Sequence, residues 1–262
     1  MTTNGYLLNP RVFQKLVNLK VKSFQITVDG GQKYHDKQRI LKNGHGTYER
    51  IISNLLLIQE MIPSDIFIML RTNVGEENYK FMEEYIHESI INFGKCENIL
   101  FAFHNIGNLG ERNSKIIEKD VRFELASKVI EQGGHTVPFI WSMTASNLCY
   151  ASIKNHYVIG SDGLVYKCTV ALYQANNILG RIGRGGKLLI SENKESLWVN
   201  STETEECKSC SVLPICMNNR CPLKRLNADS LQYCISSKDK TSDMILMLEK
   251  QNLITYEIGI EV

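Results

Sequence analysis

Seven of the chain's eight cysteines lie between Cys149 and Cys234. Cys149 is followed after thirteen residues by Gly163, and after four more by Cys168. The hook Cys207-Lys208-Ser209-Cys210 leads to Cys216, Cys221 and Cys234. Thiolates are soft ligands, and a C-x-x-C hook places two of them on one metal centre. An odd count with such short spacings fits a disulfide framework poorly. Two chemistries remain open on spacing alone. A structural zinc would need only four of the thiols, whereas iron–sulfur clusters would use sets of four and so absorb nearly all of them.

The segments that must carry these ligands differ from what precedes them. Asn9-Pro10 reads as an N-cap with proline at the first helical position, followed by Phe13, Leu16 and Val17 at helical spacing. A strand over 23–28 ends at Asp29-Gly30-Gly31. Thr47 stands where it would cap a helix with Ile51, Ile52, Leu55 and Leu56 on one face. The apolar run Ile66–Leu70 predicts a strand buried on both faces, a helix follows over 81–91, and Ile99–Phe103 predicts a third strand. A helix over 121–130 should end at Gly133-Gly134. Strands and helices in this alternation imply parallel βα units, with three clear strands leaving an open apolar edge. Beyond about residue 140, Tyr157–Ile159 and Leu164–Tyr166 around Gly160-Ser161-Asp162-Gly163 predict a β-hairpin that delivers Cys168. Residues 192–240 are polar and cysteine-rich, so bound metal would supply much of their order. A final helix is expected over 242–252.

The bulk properties narrow the field. The 262 residues are 43% hydrophobic and 22% charged, with a formal charge of +2. That balance argues against nucleic acid or an anionic membrane as the main partner. No apolar run approaches the ~18 residues that would span a bilayer, and the N-terminus does not read as a secretory signal. A cytoplasmic, reducing compartment is the expectation, where clustered thiols favour metal.

The order Cys149, Gly163-x4-Cys168, Cys207-x2-Cys210-x5-Cys216-x4-Cys221, Cys234, with Leu213-Pro214 and Pro222, resembles the SPASM domain of radical S-adenosylmethionine (SAM) peptide and protein maturases. Upstream, Thr3-Asn4-Gly5, Thr27-Val28-Asp29-Gly30, His35-Asp36-Lys37-Gln38-Arg39 and Gly44-His45-Gly46-Thr47 resemble the same family. The implied fold is α/β: the C-terminal part of a partial (β/α)6 radical SAM barrel over residues 1–140, then a small cysteine-rich SPASM α+β domain over 141–240, then a C-terminal helix and tail over 241–262. The resemblance implies two auxiliary [4Fe-4S] clusters with interleaved ligands. Cys207, Cys210, Cys216 and Cys234 would complete one, and Cys149, Cys168 and Cys221 would give the other three ligands and an open iron.

Three departures accompany it. Four residues rather than three separate Cys216 from Cys221. Met143 stands where some members have a further cysteine, and Thr169 stands where sulfatase-maturing relatives carry an aspartate directly after Cys168. The last disfavours formylglycine formation and favours modification of a ribosomally made peptide. The Cys-x3-Cys-x2-Cys loop that would hold the radical-initiating cluster does not occur in the sequence. The resemblance therefore places Thr3-Asn4-Gly5 mid-barrel and implies little activity unless a separate chain supplies the N-terminal half. SAM would bind only then, with Thr27 at its ribose and Arg39 at its carboxylate, since a planar guanidinium suits a carboxylate. Arg71 ends a strand at the same mouth. Implied partners are a peptide or protein substrate and an electron donor such as a flavodoxin or ferredoxin. Competing readings are a non-catalytic iron–sulfur electron carrier or peptide-binding module and a zinc-stabilised interaction protein. His35 and His104 read as satisfied structural histidines, Cys96 as a small buried hydrophobe, and the glycine-rich stretch 180–186 as a hairpin turn rather than a phosphate loop.

Overall fold

The computed structural model describes residues 1–106, 117, 121–138, 149–172, 174–199, 208–210, 213, 221–227 and 241–253. The chain divides into two compact units, Met1–Asn108 with Asn113–Pro138 and Leu246–Val262, and Leu109–Arg112 with Phe139–Ile245.

The first unit is built on a four-stranded parallel sheet in simple sequence order: β1 (Thr2–Thr3), β2 (Ser23–Thr27), β3 (Phe67–Val74) and β4 (Ile99–Asn105). Helices α1 (Pro10–Asn18), α2 (Gln32–Gln38), α3 (Tyr48–Ile58), α4 (Glu76–Tyr79), α5 (Met82–Phe93) and α6 (Arg122–Glu131) make the connections. An order without reversal sends each crossover over the same face. One continuous core accordingly joins Phe24, Ile26, Ile68, Leu70, Ile99 and Phe101 of the strands to Phe13, Ile51, Leu55, Ile86, Leu125 and Val129 of the helices.

Local chemistry sets several element ends as expected. Asn9 Oδ1 accepts the N–H of Val12 at 3.0 Å, and Pro10 opens α1. Beyond α6, Gly133 at φ +83° donates to Ile130 O and Gly134 to Val129 O, closing the helix. Other expectations are corrected. Thr47 does not cap α3 through its side chain. Asp36 Oδ1 does so from a distance, accepting the N–H of Thr47 at 2.8 Å and of Tyr48 at 2.9 Å. The sheet has four strands rather than three, because a two-residue β1 lies against β2. On the opposite edge Thr136 bridges Phe101 in parallel, so β4 is not an open edge there. β3 is not buried on both faces: Ile68, Leu70, Thr72 and Val74 are buried, while Phe67, Met69, Arg71 and Asn73 are half-buried on the other face.

The second unit centres on an antiparallel sheet of β5 (Val158–Ile159), β6 (Leu164–Tyr166), β7 (Ile178–Ile182) and β8 (Leu188–Ile190). β5 and β6 are the anticipated hairpin, turned by Gly163 at φ +75°. The glycine-rich stretch joins β7 to β8 as a hairpin, with Gly183 N–H donating to Lys187 O at 2.7 Å. Helix α7 (Glu192–Val199) follows, although the polarity of its sequence conceals it. It buries Trp198 against Ala151, Cys168, Ala171, Leu179 and Leu223, the last from α8 (Pro222–Asn227). A final helix, α9 (Thr241–Lys250), closes the described chain.

Candidate functional site

Two polar constellations stand out, one in each unit. In the parallel sheet the strands end side by side, with Thr27 opposite Arg71 and Asn73 opposite His104. In open α/β sheets this carboxyl edge is where ligands are met, because the strand-to-helix loops converge there. Its organiser is Asp29, only 3% exposed. Arg39 Nε donates to its Oδ2 at 2.6 Å, while Asn73 donates to Oδ1 through its backbone N–H at 3.1 Å and its side-chain amide at 3.0 Å. Asn78 Nδ2 reaches the Asp29 carbonyl at 3.3 Å. Arg71 Nε donates to Asn73 Oδ1 at 3.2 Å, extending the network to a second guanidinium. Burial disfavours the charged form of Arg71, which Asp29 offsets and Arg39 reinforces. Two guanidiniums share one buried carboxylate, so this network carries surplus positive charge that suits an anionic ligand.

His35 locks the loop that carries Arg39. It is fully buried and accepts the N–H of Asp29 on Nδ1 at 3.2 Å. Its Nε2 meets Thr47 Oγ1 at 3.0 Å, and that hydroxyl donates to Arg39 O at 2.6 Å. Thr47 therefore accepts from Nε2–H, which fixes a neutral tautomer. Of the sequence-level candidates, Thr27, Arg39 and Arg71 share this carboxyl edge. Asp29 and Asn73, which organise it, carried no sequence signal beyond the Thr-Val-Asp-Gly string.

The second constellation is formed by cysteines. Cys149, Cys168 and Cys221 come from three separate stretches of chain and pack together in the core of the second unit. Cys149 senses the other two sulfurs. Burial raises the Cys149 thiol above its ordinary value, the Ala151 N–H opposes this, and the fields of Cys221 and Cys168 raise it further. Cys168 Sγ accepts the N–H of Val170 at 3.4 Å. Beside the thiols, Tyr150 and Thr169, each directly following a cysteine, share a hydroxyl–hydroxyl bond of 2.6 Å. Among the described residues no three His, Cys, Asp or Glu side chains close tightly enough to hold one metal ion. Cys207, Cys216, Cys234 and Met143 lie outside the described residues. Cys96 stands apart, half-buried, with its thiol 3.8 Å from Gln59 O.

Sequence reasoning missed the polar support beneath these thiols. Lys167 is wholly buried, its ammonium donating to Ile153 O at 2.6 Å and Glu195 at 3.1 Å, with the Tyr157 ring 5.1 Å away. Asn177, also wholly buried, binds the backbone around Cys168.

No family model matches the chain, and no curated protein matches it significantly. Solved structures do. The chain aligns over 97% of its length with 72% of a hexahistidine-tagged anSMEcpe with bound AdoMet, at 15% identity and TM-score 0.58. A native anSMEcpe structure with AdoMet and the Kp18Cys peptide aligns with 96% of this chain and 74% of that one, at 15% identity and TM-score 0.57. anSMEcpe is an anaerobic sulfatase-maturating radical SAM/SPASM enzyme. The chain shares the overall fold of these structures. This agrees with the α/β class read from the sequence and with its parallel sheet. Among the described residues no helix is long and apolar enough to cross a membrane.

Proposed function

We propose that this chain is the iron–sulfur-binding portion of a cytoplasmic radical SAM/SPASM enzyme that modifies a ribosomally made peptide or protein. Its parallel sheet would be part of a (β/α)6 barrel and its cysteine-rich unit a SPASM domain. The observation that carries the reading is the gathering of Cys149, Cys168 and Cys221, from three separate stretches of chain, in one core. The donor set fits. Thiols that approach one another without closing on a point suit the spread corners of a cubane, and N–H donors at sulfur are usual around such clusters. Cys207, Cys210, Cys216 and Cys234 are assigned to the second cluster.

Bound at Cys149, Cys168 and Cys221, a [4Fe-4S] cluster supplies a one-electron acceptor or donor and an open iron. The chain's residues do the rest. Trp198, Leu179 and Ala171 shield Cys168 from water, while Cys149 and Cys221 stay half-buried. Cys168 is held by its loop, and Tyr150 ties that loop to the one bearing Cys149. In the first unit Arg39, its Nε held by Asp29, would offer the rest of its guanidinium to the SAM carboxylate, and Thr27 would meet the ribose. AdoMet and peptide are both bound in anSMEcpe structures, which supports these two ligands here. The Cys-x3-Cys-x2-Cys loop is not among the 262 residues, so radical initiation requires those cysteines from outside them, together with a flavodoxin- or ferredoxin-type donor.

Anaerobic purification with iron, sulfide and zinc analysis tests the reading. About eight irons per chain are expected for two [4Fe-4S] clusters; stoichiometric zinc without iron or sulfide overturns it. SAM cleavage under reductant, only when a polypeptide carrying the missing cysteine loop is co-expressed, is the expected activity.

A further inference from the structure

The most completely satisfied side chain beneath the thiols is Asn177, at the end of a single turn leading into β7. Its Oδ1 accepts the N–H groups of Lys167 at 3.0 Å and Cys168 at 2.8 Å. Its Nδ2 donates to the carbonyls of Cys168 at 2.8 Å and Ala171 at 2.9 Å. A carboxamide has two donors and two lone pairs, and here all four serve one five-residue stretch. The stretch 167–171 is thus wrapped around a single buried amide. An apolar side chain in its place would strand the N–H and the carbonyl of Cys168, a serious cost in a dry core, while Lys167 N–H would keep the Asn177 carbonyl at 3.3 Å and Ala171 O the Gln174 N–H at 3.0 Å.

This wrapping has a directional result. With Cys168 gripped at both its N–H and its carbonyl, and Ala171 held three residues on, the intervening Val170 N–H points at Cys168 Sγ. Cys168 itself is 6% exposed, so water contributes little to solvating its sulfur. Tyr150 completes the hold from the opposite side, accepting the Thr169 N–H at 3.1 Å and bonding its hydroxyl.

We infer that Asn177 is the positioning residue of the Cys168 ligand, and that by aiming the Val170 N–H at the sulfur it raises the reduction potential of the iron–sulfur cluster held there. The inference rests on the cluster reading proposed above. An N–H donated to a ligand sulfur stabilises the more negative, reduced cluster, so its loss lowers the potential.

The test uses the full chain, reconstituted anaerobically, as wild type, Asn177→Asp, Asn177→Ala and Cys168→Ser. Asn177→Asp keeps the shape but turns the two-donor end into an acceptor facing two carbonyls. It is expected to bind iron with a midpoint potential below wild type in an electron paramagnetic resonance titration. Asn177→Ala is expected to lose the iron that Cys168→Ser loses. A second readout needs no cluster: alkylation of Cys168 in the metal-free protein, followed by peptide mass spectrometry. It should accelerate about tenfold in Asn177→Asp, the equivalent of one ordinary hydrogen bond of local stability, with Cys96 unchanged. Unaltered potential together with unaltered Cys168 alkylation in Asn177→Asp overturns the inference, even if the variant melts earlier. If wild type takes up no iron, the cluster reading falls, and with it the claim about potential. The alkylation rate alone then decides whether Asn177 positions Cys168.

Discussion

His35 is locked neutral by what surrounds it. Protonating Nδ1 would set a second N–H against that of Asp29, and Nε2 already donates to Thr47. Burial lowers its pKa below the ordinary value, Asp29 and Asp36 pull upward, and Arg39 pushes down, with burial the largest influence. Tyr48 packs edge-on to the ring. The sign follows from linkage. A histidine depressed in the fold binds its proton more readily when unfolded, so its contribution is fully present above the unfolded value of about 6.5 and is lost as pH falls toward the folded value. Urea titrations at pH 7.5 and 5.5 should show lower stability at the acid end, and His35→Gln should flatten that difference. An equal pH dependence in the variant would remove His35 as its source. Arg39→Lys tests the neighbouring site, since a point charge cannot hold Asp29 through one edge and present a second. The expected outcome is a folded protein with weakened SAM binding by calorimetry, once the missing cluster loop is supplied. At this scale the sequence displayed ligands better than their holders. Cysteines and Arg39 stand in strings with recognisable spacing, whereas Asn177, Glu195 and Asn73 act across turns and strands, and nothing in a linear string marks a carboxamide that folding will bury.

At the scale of elements, α7 sends a charged residue inward beside Trp198. Glu195 accepts the Asn155 N–H at 3.0 Å, the Tyr157 hydroxyl at 3.2 Å and the Lys167 ammonium at 3.1 Å, joining the helix to the strand end that carries Cys168. The Lys167 side chain is 0% exposed and that of Glu195 9%. Removing one partner of such a pair leaves a buried charge and typically costs ~3–5 kcal/mol. Glu195→Gln should approach that loss in chemical denaturation, and the double variant with Lys167→Met should regain part of it in a double-mutant cycle. Additive losses would mean the two charges do not interact. The N-terminus of α1 carries a smaller term: Asn9→Ala removes the bond to Val12 and should cost ~1 kcal/mol. That cap and the 157–166 hairpin were legible because capping and turn chemistry are local. β1 and α7 were not. A two-residue strand owes its existence to pairing with β2, and the helix over 192–199 has charged and apolar residues in no helical stripe, so its periodicity is silent.

For the whole molecule the question is what each unit has to fold with. The first has a broad core spanning all its longer strands and most of its helices, and its last contribution comes from the far end of the chain. There Met247 and Leu248 are buried, Lys250 pairs with Glu131 at 2.5 Å, and Gln251 donates to Thr136 and to Val137 O. Among the described residues of the second unit the buried apolar cluster is Ala151, Cys168, Ala171, Leu179, Trp198 and Leu223, two of them alanines and one an assigned ligand. Metal should add to its stability, because ligands gathered only in the fold make binding energy folding energy. Two perturbations should separate the units in hydrogen-exchange mass spectrometry. Stripping iron with chelator and reductant should collapse protection over 149–199 while leaving 23–105 nearly unchanged. Deleting residues 246–262 should do the reverse, loosening β4 and α6 while the iron content stays. Loss of protection across both units from either treatment would show one cooperative body, and the cysteine-rich unit could then no longer be said to depend on its metal for its own fold.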